Sequence, residues 1–248
     1  MSEPAHALHL PETPDLQKSD IQRLDIRKLD IQKLDIRRLP SGLIAPETPS
    51  GCGLSNFTGR FAEISGSEAG ASLTLVFRLV LEAQRQQDPT VWIARRGSVF
   101  FPPDAMEAGI DLDALPVVRA PEAQSAARVA DYLIRSGGFG LVVVDLGPGA
   151  RWPVEIQTRL TGLAQKHETA LVSLTEKEDH HPSLGSLVSL RAHTTRTSRE
   201  GSRFRCEAHV LEAHILETHV LEVHILKDKR YGPGRKHTEV FDGPHGLR

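Results

Sequence analysis

Residues 59–80 read GRFAEISGSEAGASLTLVFRLV, and the fold follows from how that stretch divides. Apolar Phe61–Ile64 predicts a short strand, the small residues Ser65–Ser72 a loop, and the apolar periodicity from Leu73 onward a helix. Strand, glycine-bearing turn and helix N-terminus together form an anion cradle, in which unpaired backbone N–H groups and the positive end of the helix dipole favour a phosphate. The phosphate-loop pattern G-x-x-x-x-G-K-[ST] is nevertheless not met. In the register that starts at Gly66 its last three positions fall on Ala71, Ser72 and Leu73; one residue earlier they fall on Gly70, Ala71 and Ser72. No lysine occurs between Lys33 and Lys166, so the cradle lacks the cation that reaches a nucleotide's phosphates. Ordinary ATP turnover is not expected here, and Gly66, Gly70, Ala71, Ser72 and Leu73 read as the remnant of a nucleotide site.

Downstream, strands and helices alternate. Strands are predicted at Phe61–Ile64, Val91–Ala94, Pro116–Arg119, Leu141–Asp145 and Ala170–Leu174, with helices near Leu73–Gln86, Glu122–Arg135 and Val154–His167. That alternation implies an α/β fold with a mostly parallel central sheet covered by helices on both faces. GLVVVD (140–145) is a continuous apolar run that ends in a carboxylate, as a buried central strand should. Asp145 therefore sits at the carboxyl end of a strand, where open α/β sheets bind ligands. After Leu174 the pattern turns to β, with strands predicted at Leu184–His193, Arg203–His209 and His237–Phe241 as a closing antiparallel set.

Two period-five repeats flank or interrupt this core. Residues 20–39 read DIQRL-DIRKL-DIQKL-DIRRL, bracketed by two PETP segments. A helix would set successive isoleucines about 140° apart, and a strand would flip faces at every copy, so neither keeps an apolar face. Read as LDIRK, LDIQK, LDIRR, the segment is similar to pentapeptide repeats; as a bare composition it suits a flexible, mildly basic arm. Residues 1–55 are accordingly assigned to an N-terminal extension and 56–248 to the core. The second repeat, EAHVL-EAHIL-ETHVL-EVHIL (207–226), reads as an insertion into that core. Its histidines, His209, His214, His219 and His224, are spaced so that no regular structure converges them on one ion, and no metal site is expected.

Composition narrows the classes further. Among 248 residues, 39% are hydrophobic and 25% charged, and the formal net charge is -2, so any attraction to nucleic acid must be local. Cys52 and Cys206 lack a metal or redox spacing, which suits a reducing cytoplasm. No apolar run reaches membrane-spanning length and no leader pattern opens the chain, so a cytoplasmic location and no membrane contact are expected.

From about Gly59 onward the chain resembles the RecA recombinase family. GRFAEISGSEAGASLTL stands against the family's GR-x-x-E-I-x-G-P-E-S-S-G-K-T-T-L. AGIDLDALPVVRAPEAQSAARVADYLIRSGGFGLVVVD follows its G-V-D-x-x-x-L, helix and VVVD order, and VHILKDKRYGPGRKHTEVFDGPHGL its closing strands with a V-K-x-K segment. The resemblance implies a RecA-like core, with Asp145 as the acid of the second nucleotide motif. It also locates the losses. Ser72 and Leu73 stand for the lysine and threonine, and no acid lies near Arg96 or Gly97, where the catalytic glutamate belongs. The segments corresponding to the family's two DNA-gripping loops, Gly147–Pro153 and Glu176–Ser186, are short. Lys227 and Lys229 match the lysines that reach a neighbouring subunit's ATP in the family's filaments.

A short RecA-like core with a decayed loop is similar to the ImuA group, which implies a non-catalytic adaptor in DNA repair and damage-induced translesion synthesis. Its expected partners are RecA and an error-prone polymerase, its location the cytoplasm at the nucleoid, and it needs no ATP or magnesium cofactor. The expected partner or DNA interface comprises Lys227, Lys229, Arg230, Arg235 and Lys236. One alternative is a DNA-binding protein, weakly engaging single or double strands through Arg191–Arg205, the KDKRYGPGRKH turn and the N-terminal arm. The other is a weak ATPase with a relocated cation, Arg78 or Arg95.

Overall fold

The computed structural model describes residues 52–66, 69–98, 100–199 and 218–242. Twelve regular elements follow a short 3-10 turn at Leu54–Asn56: β1 (Phe61–Gly66), α1 (Ala69–Arg85), β2 (Thr90–Arg95), α2 (Pro102–Glu107), β3 (Val117–Ala120), α3 (Ala123–Arg135), β4 (Leu141–Asp145), α4 (Val154–Lys166), β5 (Ala170–Glu176), β6 (Leu190–Arg199), β7 (Thr218–Asp228) and β8 (Lys236–Asp242). They form one eight-stranded sheet in the order β3-β2-β4-β5-β1-β6-β7-β8. Strands β3 to β6 in that order run parallel, and β7 and β8 close the sheet antiparallel. The fold is the expected α/β class.

Burial explains why these residues take these elements. β1 and β4 are buried at every position, which the unbroken apolar run in β4 requires of a strand covered on both faces. Ala62, Ile64, Trp92, Val143 and Val172 pack towards α1, whose Leu75, Val76, Leu79, Val80 and Ala83 are buried against them. On the opposite face Phe61, Ile93, Val142, Val144 and Leu171 meet Ala126, Ala130 and Ile134 of α3 and Leu160 and Ala164 of α4. Trp92 joins Phe77 and Phe100 in an aromatic cluster with ring centroids 5.7 and 4.8 Å from its own. Cys52, Leu54 and Phe57 belong to the α1-side core, so core packing begins a few residues before position 56.

Two expectations change. The predicted loop Ser65–Ser72 is mostly regular structure: β1 continues through Gly66, and α1 begins at Ala69 rather than Leu73. Ala69, Ala71 and Leu73 favour helix, and burial of Ala71, Leu73 and Leu75 offsets the roughly 1 kcal/mol that Gly70 costs inside it. The strand predicted at Leu184–His193 is displaced to Leu190–Arg199, because residues 177–189 are a pinned connection described below. The C-terminal part of the second repeat is strand: Thr218–Leu226 forms most of β7 and pairs in register with both β6 and β8. The first repeat and the strand predicted at Arg203–His209 lie outside the described residues, as does most of the second repeat.

The join between the parallel and antiparallel parts rests on a buried ion pair. The Arg60 guanidinium, just before β1, donates to Asp228 Oδ1 at 2.7 Å, to the Ser189 carbonyl at 2.8 Å and to the Asn56 carbonyl at 3.1 Å. Both side chains are nearly inaccessible, at 4% and 0% exposure. Removing one partner strands the other charge away from water, which costs about 3–5 kcal/mol. Asp228→Asn is therefore expected to lower folding stability by about 3 kcal/mol, read as an earlier urea midpoint. The double variant Arg60→Met with Asp228→Leu should lose less than the sum of its two single variants; an additive loss would show that the pair is not coupled.

Candidate functional site

The cleft at the carboxyl ends of β1, β4 and β5 is lined by Ser72, Leu73, Asp145, Gly147, Leu174, Thr175 and Glu176, and holds about one water-sized molecule. Of the six residues expected to line a nucleotide-site remnant, Ser72, Leu73 and Asp145 meet there. Gly66 and Ala71 lie behind the cleft at the β1–α1 junction, and Gly70 falls within the first turn of α1.

The junction is closed from inside. The Ser72 hydroxyl is hydrogen-bonded to Thr194 Oγ1 of β6 at 3.0 Å, and Thr194 also donates to the Ser65 carbonyl at 3.3 Å. A β-carbon on Gly66 would lie 2.7 Å from Ser72 Oγ and 3.0 Å from the Thr194 carbonyl, so only glycine lets helix and strand approach this closely. The position that carries a phosphate-binding lysine in the family's pattern thus holds a buried, satisfied serine that points into the sheet. The pattern's lysine position thus offers no cation, and the described loop residues are taken up by the end of β1 and the first turn of α1.

Asp145 is buried, and Ser98, in the segment after β2, donates its hydroxyl to Asp145 Oδ2 at 2.5 Å. Ser98 Oγ in turn accepts the Phe100 backbone N–H at 3.1 Å. The carboxylate is thereby tied to the end of β2, where no second acid stands. The two candidate replacement cations differ. Arg78 is turned away, donating to the Cys52 carbonyl at 3.2 Å and pairing with Glu239 of β8. Arg95 lies over Gly147, whose absent side chain leaves the guanidinium its place: a β-carbon there would fall 1.9 Å from an Arg95 nitrogen. Arg95 therefore borders the cleft, and its Nη1 donates to the Arg96 carbonyl at 3.1 Å. Cys52 is buried, and burial first of all pushes its thiol up to about 11, so it is no nucleophile.

The connection from β5 to β6, where the family's pattern places a long DNA-gripping loop, is short and held from below. Buried Glu63 of β1 accepts the Leu184 N–H at 2.8 Å, the Thr175 hydroxyl at 2.8 Å and the Lys177 ammonium at 2.5 Å. Arg191 of β6 donates to the carbonyls of Glu178, at 2.8 Å, and His181. Gln157 of α4 donates to the Trp152 carbonyl at 2.8 Å and to the Leu184 carbonyl at 3.4 Å.

Lys227 completes this set. Its ammonium donates to the carbonyls of Ser186 and Gly185 at 3.2 and 3.3 Å, and burial, followed by the charge of Lys229, lowers its pKa. Of the expected interface residues, then, Lys227 is spent within the chain. Arg235 pairs with Asp228. Lys229, Arg230 and Lys236 are exposed. Arg191, counted by sequence in a basic cluster, is 4% exposed and committed to the loop. Sequence reasoning missed Thr194, Ser98, Glu63 and Gln157. Only Glu63 left a signal, as an acid in an otherwise apolar strand. Among the described residues no group of three or more His, Cys, Asp or Glu side chains could hold a metal ion, and no helix is long and apolar enough to cross a membrane.

The geometry makes two predictions. Ser72→Lys with Leu73→Thr, which rebuilds the motif, is expected to destabilise the junction and to confer no magnesium-dependent affinity in a fluorescent-nucleotide titration; micromolar binding would show that α1 unwinds to remake the loop. The second concerns histidines. Burial lowers the pKa of His193 on β6 below 6.5, with Asp179 opposing, and burial likewise lowers that of His237 on β8. Between the folded and unfolded values the unfolded chain binds more protons, so stability rises with pH across that window. This contribution is complete above about pH 6.5 and is lost as pH falls through the folded-state values. Urea midpoints at pH 7.5 and pH 5 should show it, with a smaller difference for His193→Gln; an equal difference would assign the loss to other groups.

Comparison with known proteins agrees with the fold and its motifs. The RecA N-terminal domain family matches residues 16–173. The Protein RecA of Francisella philomiragia is 34% identical over 107 residues, 43% of this chain and 29% of that protein. The Protein RecA of Methylococcus capsulatus is 32% identical over 107 residues, 43% and 30% of the two chains. The matched stretch thus spans less than a third of these relatives. With the eight-stranded sheet, the strand-to-helix junction at Gly66 and the Asp145 strand in place, the chain belongs to the RecA N-terminal domain family.

Proposed function

We propose that this chain is a non-catalytic RecA-like adaptor of ImuA type, acting in DNA repair and damage-induced translesion synthesis by binding or modulating RecA, an error-prone polymerase partner, or both. The observation that carries the reading is the bond from Ser72 to Thr194. A family scaffold is kept while the position of its phosphate-binding cation is buried, satisfied and turned into the sheet. Selection for nucleotide turnover leaves a lysine free at that place; selection for a stable platform is satisfied by a serine that locks helix to strand. The function then lies on the surface, and Lys229, Arg230 and Lys236 are the exposed members of the expected interface.

A second reading is a DNA-binding protein acting through local basic clusters. It is favoured by the β7–β8 turn, where those three cations stand together, and it loses Arg191, which is buried under the loop. The adaptor reading is tested by adding the full chain to RecA-driven strand exchange, together with capture of purified RecA or a polymerase partner on the immobilised chain. A change in exchange rate or filament length with direct capture is expected; no effect and no capture would sink the reading.

A further inference from the structure

The turn between β7 and β8 is a built presentation surface rather than a loose hairpin. Asp228, the last residue of β7, is buried. Its Oδ1 accepts the backbone N–H groups of Arg230 at 2.8 Å and Tyr231 at 3.3 Å as well as the Arg60 guanidinium, while its Oδ2 takes Arg235. The Gly232 N–H donates to the Asp228 carbonyl at 3.0 Å, and the Gly234 N–H to the Ile225 carbonyl at 2.8 Å. Burial alone would push the Asp228 carboxyl up. The Arg60 hydrogen bond and the Arg230 N–H outweigh it and hold the group below the usual carboxylate range. The turn is thus organised around one permanent anion, with the backbone of residues 230–234 fixed on it.

What this frame displays is chemically specific. Tyr231 is 60% exposed, which burial considerations alone would not favour for so large a ring. The Arg235 guanidinium carbon lies 5.2 Å from its ring centroid, within cation–π range, which supports the ring in its exposed position. Lys229, Arg230 and Lys236 flank it and are exposed. From Lys227 to Thr238 the sole acid is Asp228, and its charge is consumed inside, by Arg60 and Arg235. The exposed side chains of the turn itself are therefore cationic, around a supported aromatic face.

A partner for this surface must carry repeated negative charge and flat π-faces at the same time. An acidic peptide supplies the charge without the stacking. Duplex DNA supplies the phosphates with its bases already stacked. Single-stranded nucleic acid supplies both, and stacking on an aromatic side chain accepts any base. We infer that the β7–β8 turn is a contact site for single-stranded nucleic acid, with Tyr231 stacking on a base and Lys229, Arg230 and Lys236 meeting the flanking phosphates. The cleft and the β5–β6 connection take no part in it. The inference deepens the second reading above and rests on it, while leaving the adaptor reading independent.

The test is fluorescence anisotropy with the full chain and a labelled oligothymidylate about twenty nucleotides long, an oligouridylate of equal length, and a duplex of the same length, each across a salt series. Tyr231→Ala is expected to weaken single-strand binding about tenfold and duplex binding much less, with the salt dependence unchanged. Tyr231→Phe keeps the ring and should bind like the parent chain, which also separates stacking from any loss of fold. Lys229→Ala and Arg230→Ala should each lower the slope of log affinity against log salt by about 0.7. Binding of either single strand that depends on the Tyr231 ring supports the assignment. Binding that Tyr231→Ala leaves intact overturns it while the second reading stands. No binding at low salt removes both, and capture of RecA by Tyr231→Ala then scores the adaptor reading alone.

Discussion

Four separate segments converge on the Arg60–Asp228 pair, and the rest of the architecture inherits its register from them. Arg60 fixes the entry to β1 and holds the Asn56 carbonyl of the N-terminal turn. Through Ser189 it sets the start of β6, and through Asp228 the end of β7 and the opening of β8. This is the corner where a parallel sheet gives way to an antiparallel one. The two ladders space their hydrogen bonds differently, and a register irregularity between Arg191 and Ala192 appears at that point. A buried ion pair of this kind adds little net stability compared with a well-packed apolar substitute. Its value lies in directionality: one arrangement satisfies the guanidinium's donors and both carboxylate oxygens, and a slip of one residue leaves a charge unpaired in the interior.

The same corner decides what happened to the cleft. β6 is placed beside β1 by this junction, and β6 carries Thr194 to the first turn of α1, where Ser72 meets it. It also carries Arg191 beneath the β5–β6 connection, beside Glu63 and Lys227. The helix start, the short connection and the occupied lysine are consequences of one seam in which polar groups satisfy one another. Within that network Ser72 and Thr194 satisfy one another and the Ser65 carbonyl.

The parallel half of the fold was legible because its signals are dense. A run such as LVVVD has no other soluble home than a covered strand, and α3 and α4 show their buried stripes directly in sequence. The junction was harder. Gly66, Gly70 and the serines around them look like a loop by composition, and the Thr194 hydroxyl that Ser72 meets lies more than 120 residues away in sequence. The shift of β6 has the same origin. Residues 184–189 have strand-like alternation, yet Glu63 and Gln157 claim their backbone before a ladder can. Lys227 belonged to a recognisable motif, but a motif does not say which carbonyls an ammonium finds. Local propensity was overruled where a buried polar side chain from another element claimed the segment's hydrogen bonds.

That division also explains why the surface chemistry concentrates where it does. With a net charge of -2 the chain exerts no long-range pull on a polyanion, and at physiological salt a local positive patch acts over only about 8 Å. Such a patch works by contact, so its geometry must exist before the partner arrives. Asp228 supplies that geometry, because the carboxylate that fixes the sheet corner also ties down the N–H groups of Arg230 and Tyr231. The interaction that sets the fold's register therefore also sets the shape of the β7–β8 turn. A change that loosened Asp228 would disturb both together, whereas a change at Tyr231 alters only what the turn displays.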